Sequence, residues 1–450
     1  MNGFPNFSAL SLVHRAEIVL VIGTLVLLAF APKIDRSRFK PPLVAFVTAA
    51  VVFALGLQQS GGLDRFALLI VPAVIAVGAL LLSSAELFDR RQTPEAAALL
   101  LIGGVGAIVL VDGESLLEIA LGVEMLSLVG AALVALGQGR RPLEAGFKYF
   151  VLTAVTFATL LFGMALIFLA SGSLAVPALG AVAPSLQPFA FVGVGFFAIG
   201  LLFKMAVVPV HFGALDAYTA GPSSFVGYVM VVSKLGAGIA LARLAAGAGA
   251  VLELPLLLAG LVTIGFAVLA SFAQTDLRRL MAYSAVAHAG FLAVALGSGI
   301  DGGKTVAFYV VGYGAAALLA FACLAGTGTG PLSLSALRPG GSLQLGPARA
   351  VGLMIALMSL AGVPPFPGFW TKLAVLRICY DHWGAPATTL AALGGVVGII
   401  YYLKPLPDLL AQARATRSTS TIESLVAVGA LVAVVLVLSL APGLAWNLTD

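Results

Sequence analysis

The sequence predicts an all-α polytopic membrane protein of about 14 transmembrane helices, with two inverted repeats that each contain a broken helix. Three observations carry this. Of 450 residues, 61% are hydrophobic and 10% charged, with a mean hydropathy of +1.10, which leaves too few charges to coat a soluble fold. Apolar runs long enough to cross a bilayer as helices, about 20 residues each, follow one another along the chain. Two of these runs are over-long, are interrupted by proline and glycine, and hold a lysine.

Counted by length, the runs lie near 8–31, 42–60, 66–87, 95–111, 114–136, 144–171, 187–212, 222–246, 251–273, 280–300, 304–325, 349–380, 386–405 and 422–441. Their length and the lack of two-residue alternation exclude strands. The first run, Phe7 to Ala31, lacks a basic leader and a small-residue cleavage site and reads as a retained span. The 52 glycines sit inside apolar runs, as expected where helices approach closely in lipid. Gly193-Val194-Gly195 has no third glycine and no preceding strand, so it does not indicate dinucleotide binding. Cys323 and Cys379 match no disulfide or metal spacing and read as packing residues.

The two interruptions organise the chain. The seventh span is broken at Pro209; the twelfth is broken in Ala361-Gly-Val-Pro-Pro-Phe-Pro-Gly368, ahead of Lys372. Paired breaks point to inverted repeats with an ion site between them. Residues 1–94 then hold spans one to three, 95–246 the first repeat, 251–405 the second, and 406–450 a cytoplasmic connection and the last span. Connections after odd-numbered spans carry 16 of the 24 basic residues, among them Arg36, Arg38, Arg90, Arg91, Arg140, Arg141, Lys404 and Arg417. The other side carries Arg15, Arg65, Arg243, Lys304 and Arg377. Positive charge marks the cytoplasm, so both termini are expected on the periplasmic side. The basic residues are scattered over loops without interleaved aromatics, which argues against nucleic acid.

Three lysines remain inside apolar runs: Lys204, Lys234 and Lys372. An ammonium at the bilayer centre costs roughly 2.5 to 3.5 kcal/mol on insertion scales, so each is a functional hypothesis. Glu124, ten residues beyond Glu114 and about 15 Å deeper at helical rise, is the expected partner of Lys204; the alternative is a static buried pair. Lys234 has no acid in its own helix and is expected to exchange protons. Lys372 would extend the row; its alternative is snorkelling to an interface. His211, just after Pro209, and His288, in MAYSAVAHAGF, are placed to pass protons between Lys234 and Lys372, with Tyr283 and Ser284 ordering water. Asp216 and Tyr218 read as stabilising a turn, the alternative being a cytoplasm-side polar cap or proton entry. Glu17, Glu86 and Glu118, nearer span ends, read as solvated.

At these residues the sequence resembles the antiporter-like membrane subunits of respiratory complex I, and among them the subunit N type (mitochondrial subunit 2). The matching stretches are GVEMLSL, FKYFVLTA, LLFKMAVVPVHFGALDAYTAGPSSFVGYVMVVSKLGA, FAQTDLRRLMAYSAVAHAGF and AGVPPFPGFWTKLAVL, in order over most of 115–405. The resemblance implies a proton channel through Glu124, Lys204, Lys234 and Lys372. A lysine on span twelve resembles subunit N more than subunit M, and the long lateral helix of subunit L is absent. Gly213 and Leu215 depart from the family, which often has an aromatic residue and a proline there.

The expected function is proton translocation as a subunit of an NADH:quinone oxidoreductase, driven by redox chemistry elsewhere. No Cys cluster, flavin motif or haem ligand pair is visible. The resemblance therefore assigns FMN, Fe-S clusters and quinone to partner chains: M-, K- and J-type membrane neighbours in the lipid bilayer of a bacterial inner membrane and, through them, peripheral Fe-S subunits. One rival is a subunit of a multisubunit cation/proton antiporter without redox coupling. The other is a structural spacer, which the buried charges make costly to defend.

Overall fold

The computed structural model describes residues 10–34, 40–82, 92–299, 301–338, 340–414 and 422–449. Arg36, Arg38, Glu86, Arg90, Arg91 and Arg417 lie outside the described residues. Within them the chain is helical and forms no strand, only two isolated bridges. The helices are α1 (Leu12–Ile34), α2 (Lys40–Gln58), α3 (Gly62–Leu81), α4 (Thr93–Asp112), α5 (Leu116–Ala135), α6 (Arg140–Ser171), α7 (Gln187–Met205), α8 (Phe212–Ala220), α9 (Ser223–Ala248), α10 (Glu253–Phe272), α11 (Leu277–Leu296), α12 (Gly302–Leu324), α13 (Pro347–Ala361), α14 (Pro367–Leu403), α15 (Leu406–Ala413), α16 (Ile422–Leu440) and α17 (Gly443–Trp446). α14 is two helices joined at Gly384, whose φ of 71° interrupts the helical backbone. Taking α7–α8 as one broken span, and α13 with the first half of α14 as another, the described helices form the 14 spans expected. The seventh span runs on to Ala220 instead of ending near 212, because Asp216 and Tyr218 dilute the apolar signal of a segment that is nonetheless helical.

Connections of equal parity meet one another. After odd spans, the Thr329 hydroxyl donates to the Gln138 carbonyl (2.7 Å), Arg278 donates to the Thr327 hydroxyl (2.9 Å) and the Gly328 carbonyl, Lys404 donates to the Phe272 carbonyl (2.6 Å), and Gln412 donates to Leu337 (2.7 Å). After even spans, Arg243 donates to the Asp112 carbonyl (2.8 Å), the Val176 amide to the Glu114 carbonyl (3.1 Å), and Trp383 to the Gly297 carbonyl (2.7 Å), while His382 meets Glu253 (3.0 Å). The Phe308–Trp446 ring contact (5.3 Å) and the surface cavity that joins Ser11 and His14 to Asp112 set both described chain ends at the even face.

Local features recur between 95–246 and 251–405. α5 starts at a capping box in which Ser115 accepts from Glu118 N–H and Glu118 accepts from Ser115 N–H. α11 starts at Asp276, which accepts from the Arg279 amide (3.0 Å). Each cap pairs with a loop beyond the following helix, Ser115 with Ala175 and Asp276 with Ser333. α4 and α5 cross at glycine, where a Cβ on Gly122 would come within 2.9 Å of the Gly106 carbonyl; α10 and α11 cross in the same way at Gly260 and Gly290 (2.7 Å). The breaks match position for position. Ala206 and Gly362 are left-handed (φ 69° and 84°), and the amides of Val207 and Val363 turn back to the carbonyls of Leu202 (3.0 Å) and Met358 (3.1 Å). Each break also carries a cis X-Pro bond, Val208–Pro209 and Pro364–Pro365. α9, α11 and α12 are buried along almost their whole length and form the centre of the molecule.

Candidate functional site

The ionisable groups that the sequence places in apolar runs line the interior between the two breaks. Lys204, in the last turn of α7, is 2% exposed. Its ammonium donates to the Ser127 hydroxyl of α5 and the Tyr149 hydroxyl of α6, both at 3.2 Å, and lies 5.5 Å from the Tyr149 ring centroid. Glu124 is three residues before Ser127 on α5 and within electrostatic range of Lys204. No direct ion pair forms between them: the lysine's hydrogen bonds go to hydroxyls, and Glu124 Oε2 is buried without a hydrogen-bond partner. The two residues expected to pair are thus close enough to interact electrostatically but are not in direct contact.

Lys234, midway along α9, is fully buried. Its Nζ has no hydrogen-bond partner and is met by ring faces, Tyr218 of α8 at 5.4 Å and Tyr313 of α12 at 5.8 Å. Such contacts recover part of the desolvation cost of an ammonium, roughly 2 kcal/mol where water is excluded. The Tyr313 ring in turn packs, tilted by 38°, against the His288 ring of α11, with centroids 4.6 Å apart.

His288 holds the middle of the second half. Nδ1 bonds the Tyr309 hydroxyl (2.7 Å) and Nε2 the Tyr402 hydroxyl (3.2 Å), which in turn bonds Ser284 (2.6 Å). A neutral imidazole donates at one nitrogen and accepts at the other, so this chain of hydroxyls can reverse polarity by tautomer exchange. Both Lys234 and Lys372 act electrostatically on His288. Lys372 borders a small cavity that it shares with His288, Phe291, Tyr401 and Tyr402. Its half-buried ammonium turns inward and donates to the Leu360 (2.9 Å) and Ala361 (2.8 Å) carbonyls, the unpaired C-terminal acceptors of α13.

Lys234, His288 and Lys372 are therefore linked through the Tyr313 ring and a shared cavity, while Lys204, with Glu124 nearby on α5, lies buried at the first break. His211 stands apart from them: Nδ1 bonds the Pro209 carbonyl (3.3 Å), and the ring packs on Phe212 (4.4 Å) and Phe266 of α10 (4.8 Å). Tyr283 also lies aside, facing Phe266 (6.3 Å), while Ser284 joins the His288 chain. Asp216 is half-buried and lies 3.9 Å from Lys148, which pairs with Glu144 at 2.7 Å. Sequence reasoning passed over Ser127, Tyr149, Tyr309, Tyr313 and Tyr402. The available signal was tyrosine inside otherwise apolar spans, at i, i+4 spacing for Tyr309 and Tyr313. Among the described residues no group of three or more His, Cys, Asp and Glu side chains is placed to hold a metal ion.

A multi-pass helical protein with buried ammonium groups strung between two broken helices defines a class, the ion-translocating membrane proteins of antiporter-like architecture. The chain belongs to the family described as NADH:quinone oxidoreductase/Mrp antiporter, transmembrane region, whose model matches residues 113–398. It is 34% identical over 410 residues to NADH-quinone oxidoreductase subunit N of Cereibacter sphaeroides, covering 89% of this chain and 88% of the relative. It is 31% identical to subunit N of Geotalea uraniireducens, covering 96% and 97%. A chain of respiratory complex I from Thermus thermophilus superposes with a TM-score of 0.81 at 28% identity, covering 96% of this chain and 98% of that one. A chain of the Mrp complex from a Dietzia species shares the fold at a TM-score of 0.83 and 19% identity, covering 98% and 96%.

Proposed function

We infer that the chain is the N-type antiporter-like membrane subunit of an NADH:quinone oxidoreductase, and that it carries protons along Glu124, Lys204, Lys234, His288 and Lys372. The observation that carries this reading is the burial of these groups between the two breaks, with Lys204 on the Ser127 and Tyr149 hydroxyls and with Lys234, His288 and Lys372 linked through the Tyr313 ring and a shared cavity. Groups of this kind are expensive to bury and have no evident structural use. The names of the relatives at 31% and 34% identity support the redox-driven reading; the Mrp likeness speaks to the fold alone.

In this reading residues 95–246 and 251–405 are inverted repeats, and 1–94 and 406–450 flank them. The chain carries no redox centre. FMN, Fe-S clusters and the quinone site belong to partners, with M-, K- and J-type subunits as membrane neighbours. The odd connections face the cytoplasm of a bacterial inner membrane and both termini face the periplasm, as the basic residues favour. His211 contributes at the first break, outside the row. As mechanism, a change of charge at Glu124 releases or holds the Lys204 ammonium, and this alters the affinity of Lys234 for a proton.

The test is to purify the chain with its native partners. The reading expects co-purifying flavin and iron and NADH-driven proton uptake into vesicles. A stable complex free of iron and flavin that exchanges cations for protons would replace it with the antiporter.

A further inference from the structure

The break beside Lys204 frees a backbone group that its own segment does not satisfy. The amides of Ala206 and Val207 turn back to the carbonyls of Phe203 (2.9 Å) and Leu202 (3.0 Å). The next amide, Val208, leaves the helix and donates to the Thr263 hydroxyl at 3.0 Å. Thr263 lies at the middle of α10, is fully buried, and its hydroxyl donates to the Ala259 carbonyl (2.6 Å). An amide freed by a helix break inside a membrane-spanning segment is costly to leave without an acceptor.

The second break needs no such acceptor. The amides of Gly362 and Val363 repeat the turn-back, to Ser359 (2.9 Å) and Met358 (3.1 Å), but Pro364 stands where the first break has Val208 and has no N–H. The α10 hydroxyl thus answers a donor that only the first break possesses. One turn further along α10, Phe266 receives the edge of His211 from the other side of the same break. One polar and one aromatic contact from residues 251–405 therefore hold the point where the Lys204 helix stops.

We propose that Thr263 is a positioning residue for Lys204: its hydroxyl fixes the end of α7 so that the ammonium stays on Ser127 and Tyr149. The proposal rests on the reading of Lys204 as a proton carrier. It makes the first helix of the second repeat part of the first repeat's lysine site, a link by which the state of one half is felt in the other.

The test uses the intact purified complex. Thr263→Val keeps the shape and removes the acceptor, and Thr263→Ser keeps the hydroxyl. Hydrogen–deuterium exchange at the Val208 amide is expected to be slow in the native complex, about tenfold faster with Val, and slow again with Ser. The ratio of protons moved per NADH is expected to fall severalfold with Val and to return with Ser, while quinone reduction continues. Equal exchange in native and Val complexes, Ser behaving like Val, or faster exchange with an unchanged proton ratio would each overturn the proposal. If the Val complex does not assemble, the native complex decides, since a Val208 amide that exchanges like an exposed one also overturns it. Should Lys204→Ala keep full pumping while the exchange difference at Val208 persists, the strut stands and the proton-carrier reading of Lys204 falls.

Discussion

An ammonium in hydrocarbon must be met by something, and the three lysines are met in three ways: Lys204 by two hydroxyls, Lys234 by two ring faces, Lys372 by two helix-end carbonyls. Hydrogen bonds to a charged group contribute about 1.5 to 3 kcal/mol, so the hydroxyl pair sets how firmly Lys204 holds its proton. Tyr149→Phe and Ser127→Ala are each expected to lower the proton ratio several-fold with assembly intact, and the double variant more than either. A double variant pumping normally would remove these hydroxyls from the account. The lysines were legible because a charge inside an apolar run stands out in any sequence. The tyrosines were not, because a tyrosine satisfies both an apolar core and a polar path, and only the fold reveals which role it has. His211 shows the converse, a residue whose neighbours in sequence suggested the row and whose packing on Phe266 sets it aside.

At the scale of the element, the two breaks and the two glycine crossings place the row. A Cβ on Gly290 would lie 2.7 Å from Ile264 Cγ1 and 2.9 Å from both the Gly260 carbonyl oxygen and the Ile264 amide nitrogen, and the two backbone atoms cannot swing aside. Gly290→Val is therefore expected to force α10 and α11 apart, at a cost of about 1–3 kcal/mol or more, and to lower the amount of assembled complex in membranes. Assembly at the native level, measured by blue-native electrophoresis, would contradict this. Proline and glycine made both breaks readable in advance. The left-handed turn at Ala206 was not, since alanine rarely adopts φ of 69° and carries no mark of it in sequence. The extension of α8 to Ala220 was hidden for a related reason: hydropathy records where a helix meets lipid, and this one is largely enclosed by protein.

For the whole molecule, span parity is the firmest result, because hydrogen bonds join odd connections to odd and even to even. Which face is cytoplasmic rests on the basic residues. With Cys323 and Cys379 both buried, Ser335→Cys and Ser185→Cys report the two faces cleanly. An impermeant maleimide added outside intact cells is expected to label Ser185→Cys and spare Ser335→Cys, and the reverse pattern would invert the orientation. The number of spans was legible because each crossing needs its own apolar run. The meeting of the two halves at α9, α11 and α12 was not, since it depends on contacts between residues far apart in the chain.

The central claim is that protons cross the interior through Lys234, the one amine in the row held only by ring faces. Its most direct test is the number of protons translocated per NADH oxidised in vesicles bearing the assembled Lys234→Ala complex. The account predicts continued quinone reduction with pumping through this subunit abolished. A proton ratio equal to that of the native complex would contradict it.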